Sequence, residues 1–494
     1  MSTIMKTKYF HLFLLFLVSV LFVSCEDFLD ERPQSDFTAE ATVGDSVVSK
    51  YMTIADAKAE LQGAYNSFKN DIFQQENFMI NDVQSDNCYV GGDGTNEEAV
   101  DMLKLSATNA KVALVWSQYM AMAGNATNVI ENLRLMKGGA TDQERNDVMA
   151  EAKFIRAWAL FDMVRLYGDL PMVLQIIPTI TAENLDMWYP VMYPQRASVE
   201  DVYTQIFKDL NEETVSHLPS KNTGAFQATK GAAYGLLAKV YATYKDVGER
   251  NYQQVVSYCD KVMAEGYRLV SDFNALWDPD NKFTSESIFE VYYTADSPNW
   301  AYWTLLKEDD GSVTWRRYCT PTHDLVAKFL PNDQRYAASI QWKKAPYDAY
   351  WSADNYPFSY KIREKNSDII LMRLADIMLL KAEALVELGQ SAEAIDIVNE
   401  IRSRAGLTGN LLNRTISQSA ARLAVENERQ LELYMEGQRW YDLVRNNRLL
   451  DVMKGHKDKN GNKLFPGLQD YRALWPIPQG ELDKNTNLTQ NEGY

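Results

Sequence analysis

The chain has 494 residues, 46% hydrophobic and 24% charged, enough for one large or two to three ordinary folded domains. Its formal net charge of −17 argues against nucleic acid as a partner, because phosphate binding needs a basic face. With four cysteines and four histidines, a disulfide framework and a histidine-based zinc site are both disfavoured, although one bridge among Cys88, Cys259 and Cys319 stays open.

The first 25 residues read MSTIMKTKYFHLFLLFLVSVLFVSC. Lys6 and Lys8 precede an apolar run from Phe10 to Val23, broken by His11 and Ser19. The run has signal-peptide length and is short for a membrane span. Ser24-Cys25 resembles a bacterial lipoprotein cleavage box, with Phe22 where leucine is usual. Residues 1–24 are therefore read as a signal peptide, and 25–52 as a polar tether lipidated at Cys25. No second apolar run of spanning length follows, so membrane attachment is expected through the lipid alone. Glu26 and Asp27 look like the surface-export signal of lipoproteins from the Bacteroidetes.

From Thr53 to Lys69, Ala57, Leu61, Ala64 and Phe68 recur at helical spacing. Residues 81–96 read as a loop by composition, with Gly91, Gly92 and Gly94. A helix is expected from Val112 to Met136. EAKFIRAWALFDMVRLYGDLP (151–171) then predicts a helix apolar over a wide arc, packed on more than one side and stopped at Gly168 and Pro171. Residues 228–266 and 371–407 each read as helix, turn and helix, turning at Gly248 and Gly389. Each unit is close to the tetratricopeptide length of about 34 residues, which predicts an α-solenoid scaffold. Between them the character changes. Six of the eleven tryptophans fall in residues 277–351 (Trp277, Trp300, Trp303, Trp315, Trp342, Trp351), and the helical period is lost, with a short strand suggested by SIFEVYY (287–293). In the ending LWPIPQGELDKNTNLTQNEGY, Pro476 and Pro478 force an extended path while Leu474, Trp475 and Ile477 need somewhere to dock.

Four stretches together resemble the SusD-like (RagB/SusD) family of outer-membrane lipoproteins. They are EAKFIRAWALFDMVRLYGDLP, RLADIMLLKAEALVELG (373–389), ENERQLELYMEGQRWYDLVR (426–445) and the ending above, in family order. The resemblance implies a mostly helical fold of about four tetratricopeptide-like pairs with an irregular, aromatic-rich half packed on it. The corresponding divisions are 53–266, scaffold with a variable loop near 77–110; 267–365, ligand-binding segment; 366–450, scaffold; and 451–494, an ordered non-helical closing segment with Trp475 and Ile477 buried. It also implies an outer-surface location, a SusC-like TonB-dependent transporter as partner, and capture of a glycan without catalysis.

Sugars present apolar C–H faces and polar rims, so a glycan binder needs flat aromatic side chains beside amides and charges. Two stretches offer this. One is SDNCY, with Asp86, Asn87 and Tyr89; the other is SPNWAYW, with Asn299, Trp300, Tyr302 and Trp303, followed by Trp315 and Arg316. Asp86, Asp93 and Glu97 could serve calcium, but acidic loops are common, and neither a metal nor a cofactor is expected. The nucleophile-elbow, zincin, phosphate-loop and dinucleotide motifs are missing from the sequence. Carboxylate pairs leave no reliable signature, so a surface glycosidase stays as an alternative, as does a peptide-capturing relative whose acidic surface favours basic peptides.

Overall fold

The computed structural model describes residues 42–43, 46–221, 226–307, 311–345, 349–458 and 460–494. The leader, Cys25 and most of the tether lie outside the described residues. Among those described, no helix is long and apolar enough to cross a membrane.

Helix α1 (Ile54–Asn66) starts at a capping box between Thr53 and Asp56. It packs on the antiparallel pair α2 (Ala110–Leu135) and α3 (Asp142–Tyr167). Helix α3 begins earlier than its apolar stripe suggests, because Thr141 and Glu144 form a second capping box. From Phe154 to Val164 every residue of α3 is buried, as expected of a helix packed on several sides. After α4 (Leu185–Met192) and α5 (Val199–Asp209) come two further pairs, α6 (Lys230–Thr243) with α7 (Tyr252–Ala264) and α8 (Leu374–Glu387) with α9 (Ser391–Arg404), followed by α10 (Gln418–Glu432) and α11 (Arg439–Arg445). Contacts of α7 with α8, and of α8 with α10, join these helices into one stack. The fold is the mostly helical, repeat-like scaffold expected from the periodicity.

The strands are short and paired in twos: β1 (Cys88–Tyr89) with β3 (Thr320–Pro321), β2 (Ser287–Val291) with β6 (Ile369–Arg373), and β4 (Ile340–Lys343) with β5 (Tyr356–Ser359), all antiparallel. The start of the 371–407 unit is thus corrected. Leu371, Met372 and Arg373 are strand, because β6 is buried throughout and completes a ladder with β2.

Buried charge fastens the irregular segment to the scaffold. The Arg373 guanidinium, fully buried, donates to Glu286 (2.7 Å), Glu432 (2.6 Å) and Glu436 (2.6 Å). Arg335, equally buried, binds Asp333 through two nitrogens (2.9 and 2.7 Å) and reaches Glu428 (2.6 Å) and Glu432 (3.1 Å). Arg404 bridges Glu286 and Glu432, and the Lys361 ammonium donates to Glu436 (2.6 Å) beneath the Trp277 ring. Such pairs are tolerated in a dry interior only where nearly every donor and acceptor is matched.

Trp475 and Ile477 are buried. The Trp475 backbone N–H donates to the Leu166 carbonyl (2.7 Å), and its indole N–H to the Gln84 side chain (2.8 Å). The closing segment is not wholly non-helical: short helices occupy Leu449–Gly455 and Gln479–Lys484, the second beginning directly after Pro478. Proline is compatible with a helix start, where its missing N–H has no intrahelical partner to lose.

Candidate functional site

Strand β1 is laid against β3 with Tyr89 opposite Thr320 and Cys88 opposite Pro321. The chain then runs along 315–317, with the Gly91 N–H donating to the Arg317 carbonyl (3.1 Å). A Cβ on Gly92 would lie 1.7 Å from the Arg316 carbonyl oxygen, and one on Gly91 would lie 2.5 Å from the Tyr356 hydroxyl. Only glycine allows the two segments to approach this closely.

Along this seam the half-buried Tyr89 ring lies 4.5 Å from the ring of Tyr350. Tyr350 in turn stacks on exposed His323 at 4.7 Å, and His323 lies 3.6 Å from Trp351. Trp342 meets Trp351 edge-on at 5.2 Å. Polar contacts hold these rings by their edges. The Trp351 indole N–H donates to the Pro321 carbonyl (2.9 Å), the His323 Nε2 pairs with the Tyr350 carbonyl (3.0 Å), and the Tyr89 and Tyr356 hydroxyls hydrogen-bond (3.1 Å). Beyond the glycines stands Trp315, 46% exposed, with the Arg316 guanidinium 4.7 Å from its ring centroid. The result is a row of partly open rings, with Trp315 and Arg316 across the glycine seam.

Tyr89 lies in this row, and Trp315 and Arg316 stand across the glycine seam from it. The other sequence candidates do neither. Asp86 is buried and receives Arg439 through two nitrogens (2.7 and 2.9 Å) and the Gln430 amide (2.9 Å). Burial alone would raise its pKa, but Arg439, with Lys328 nearby, holds it well below the usual carboxylate range. Asn87 is buried between Asp82 and Gln430. Asn299 is buried with its amide on the Ser367 carbonyl (3.1 Å), and Tyr302 is buried as well. The half-buried Trp300 spends its indole N–H on Asp71 (2.9 Å), and Trp303 packs on the core. These residues brace the surface from behind. Their polarity reflects the irregular backbone they satisfy, which sequence alone does not distinguish from ligand contact. Of the acids that could serve calcium, Asp86 goes to Arg439 and Glu97 to Lys111 (3.0 Å), and no group of three or more potential metal ligands converges among the described residues.

The sequence reading missed His323 and Tyr350. Trp342 and Trp351 stand in the tryptophan-rich stretch without a mark to set them apart. A usable signal lies in the adjacent ring pair Tyr350-Trp351, outside any helical period.

The seam also rests on a half-buried acid. Asp101 accepts the Val90 backbone N–H (3.0 Å), one residue past Tyr89. Burial raises its pKa to about 7, against the lowering effect of that hydrogen bond.

The structure is a helical-repeat scaffold carrying an aromatic surface on irregular loops. Residues 341–494 match the SusD family model, and residues 27–242 match a second model described as "Starch-binding associating with outer membrane". SusD-like protein P2 of Formosa agariphila is 27% identical over 99% of this chain and 100% of its own length. The starch-binding protein SusD of Bacteroides thetaiotaomicron is 23% identical over 99% of this chain and all of its own. Among solved structures, a SusD homologue from Bacteroides thetaiotaomicron superposes with a TM-score of 0.74 at 21% identity, covering 90% of this chain and 98% of its own. A laminarin-binding SusD-like protein does so with a TM-score of 0.72 at 23% identity, covering 90% and 100%. The chain is thus similar to SusD-like proteins over most of its length and shares their fold.

Proposed function

We propose that this protein captures an oligosaccharide or polysaccharide at the cell surface and delivers it, without cleaving it, to a SusC-like TonB-dependent transporter of the outer membrane, held there by a lipid on Cys25. The observation that carries the reading is the ring row Tyr89–Tyr350–His323–Trp351, with Trp315 and Arg316 across the glycine seam. Flat rings cover the C–H faces of pyranoses, and Arg316 with the backbone groups of the glycine seam serves the hydroxyls. Relatives whose names mention starch or laminarin support a glycan as ligand. A site made chiefly of rings suits a sugar better than an extended peptide, whose recognition relies on rows of backbone donors and acceptors.

The test is retardation of the mature protein in native gels containing a panel of polysaccharides, with β-1,3-glucan and starch among them. Retardation by one glycan, lost in Trp351→Ala with an unchanged circular dichroism spectrum, is expected. A glycan bound equally well by Trp351→Ala and Trp315→Ala would move the site elsewhere. No retardation across the panel would favour a peptide ligand.

A further inference from the structure

Three cysteines follow Cys25, and two of them meet behind the ring row. Cys88 and Cys319 stand far apart in sequence, yet they occupy paired segments and point to the same face, since Cys88 is in register with Pro321, two residues past Cys319. Both are buried thiols in the structure. Both also rest on one short scaffold segment: the Cys88 Sγ lies 3.5 Å from the Tyr434 hydroxyl, and the Cys319 Sγ lies 3.2 Å from the Met435 Sδ. Cys259 is buried separately in α7.

We infer that Cys88 and Cys319 close a disulfide that staples the Tyr89 strand to the segment carrying Trp315, as the chain folds outside the cytoplasm. The inference rests on the exported location proposed above, because such bonds persist in oxidising compartments. The oxidant is a disulfide of that compartment, either a small molecule or an exchange protein. The Cys88 thiolate attacks one oxidant sulfur, forming a mixed disulfide and releasing one oxidant thiol. The Cys319 thiolate then attacks the Cys88 sulfur and releases the second. Two protein thiols are oxidised, one oxidant disulfide is reduced, and the two protons end on the oxidant's sulfurs. The Cα atoms are diagonal in the ladder rather than directly opposite, so closure draws the segments together where the ladder is only two residues long. Burial raises both thiol pKa values, which makes the packed pair slow to exchange and favours closure before packing is complete.

The experiment equilibrates the purified mature protein with reduced and oxidised glutathione during refolding, then alkylates it in denaturant without reductant and maps the peptides. The expected result is a peptide containing Cys88 linked to one containing Cys319, with only Cys259 alkylated. Alkylation of all three, or linkage through Cys259, overturns the inference. Cys259→Ser should keep the link. Cys88→Ser and Cys319→Ser should lose it and melt roughly 5 °C lower than the oxidised parent, since the bond closes a very long loop. A parent melting temperature unchanged by reductant also counts against it. The thiol map is read without ligand, so failure of the glycan reading would not alter it.

Discussion

The network around Arg373 and the ring row around Tyr350 lie in the same irregular half, and they are built on opposite principles. In the network, the charges are stripped of water and matched by opposite charges and hydrogen bonds, so removing one member leaves others stranded. In the row, rings are fastened by their polar edges while part of their surface stays open. The first arrangement fixes position. The second holds surface in readiness, and it tolerates truncation because nothing charged is left uncompensated behind it.

That contrast can be broken in order of expected effect. Arg373→Met should destabilise the fold by about 3–5 kcal/mol, since Glu286, Glu432 and Glu436 lose a shared cation in a dry interior. Urea denaturation reads this, and a loss below about 1 kcal/mol would end the view of the network as the fastening. Trp300→Ala should cost about 3 kcal/mol through the cavity and the stranded Asp71, with glycan affinity within twofold of the parent. A large affinity loss at full stability would instead place Trp300 in the site. Trp351→Ala should reverse the pattern, weakening glycan binding by about 2 kcal/mol, roughly thirtyfold, with a smaller change in melting. Isothermal titration calorimetry of the pair of variants gives the comparison directly.

The remaining effect concerns pH. The folded pKa of Asp101, about 7, lies above its unfolded value near 4. Its contribution to stability is therefore fully present below about pH 4 and is lost as pH rises through about 7. Asp101→Asn keeps an acceptor for the Val90 N–H and removes the titration. The variant should melt a few degrees above the parent at pH 8 and level with it near pH 4. A difference that does not change between those values would contradict the assignment.

The scaffold was legible because its information is local. The stripe Phe154, Trp158 and Phe161, and the caps at Thr53 and Thr141, specify helices within a few residues. The site was only partly legible. Tyr89, Trp315 and Arg316 lie at the surface, whereas Asp86, Asn87, Asn299 and Tyr302 turn inward. An exposed amide that binds sugar and a buried amide that satisfies a loop carbonyl are the same residue type in the same composition. What separates them is the partner, such as Gln430 for Asn87 or the Ser367 carbonyl for Asn299, and those partners lie far away in the chain. The strand at 369–373 was misread for a related reason: its apolar run fits a buried strand or a helix start equally well until β2 is beside it.

The hydroxyls of Tyr89 and Tyr356 meet although the residues are 267 positions apart. Most of the polypeptide must be in place before that contact exists, and closing such a distance comes at a loop-entropy cost that the helix pairs do not face. Assembly order follows from this. The repeat stack can form while the ring row is still absent, so a nascent or damaged molecule has helices but no site. On the proposed function, retention of a glycan would therefore report completed folding in a way that helical content does not.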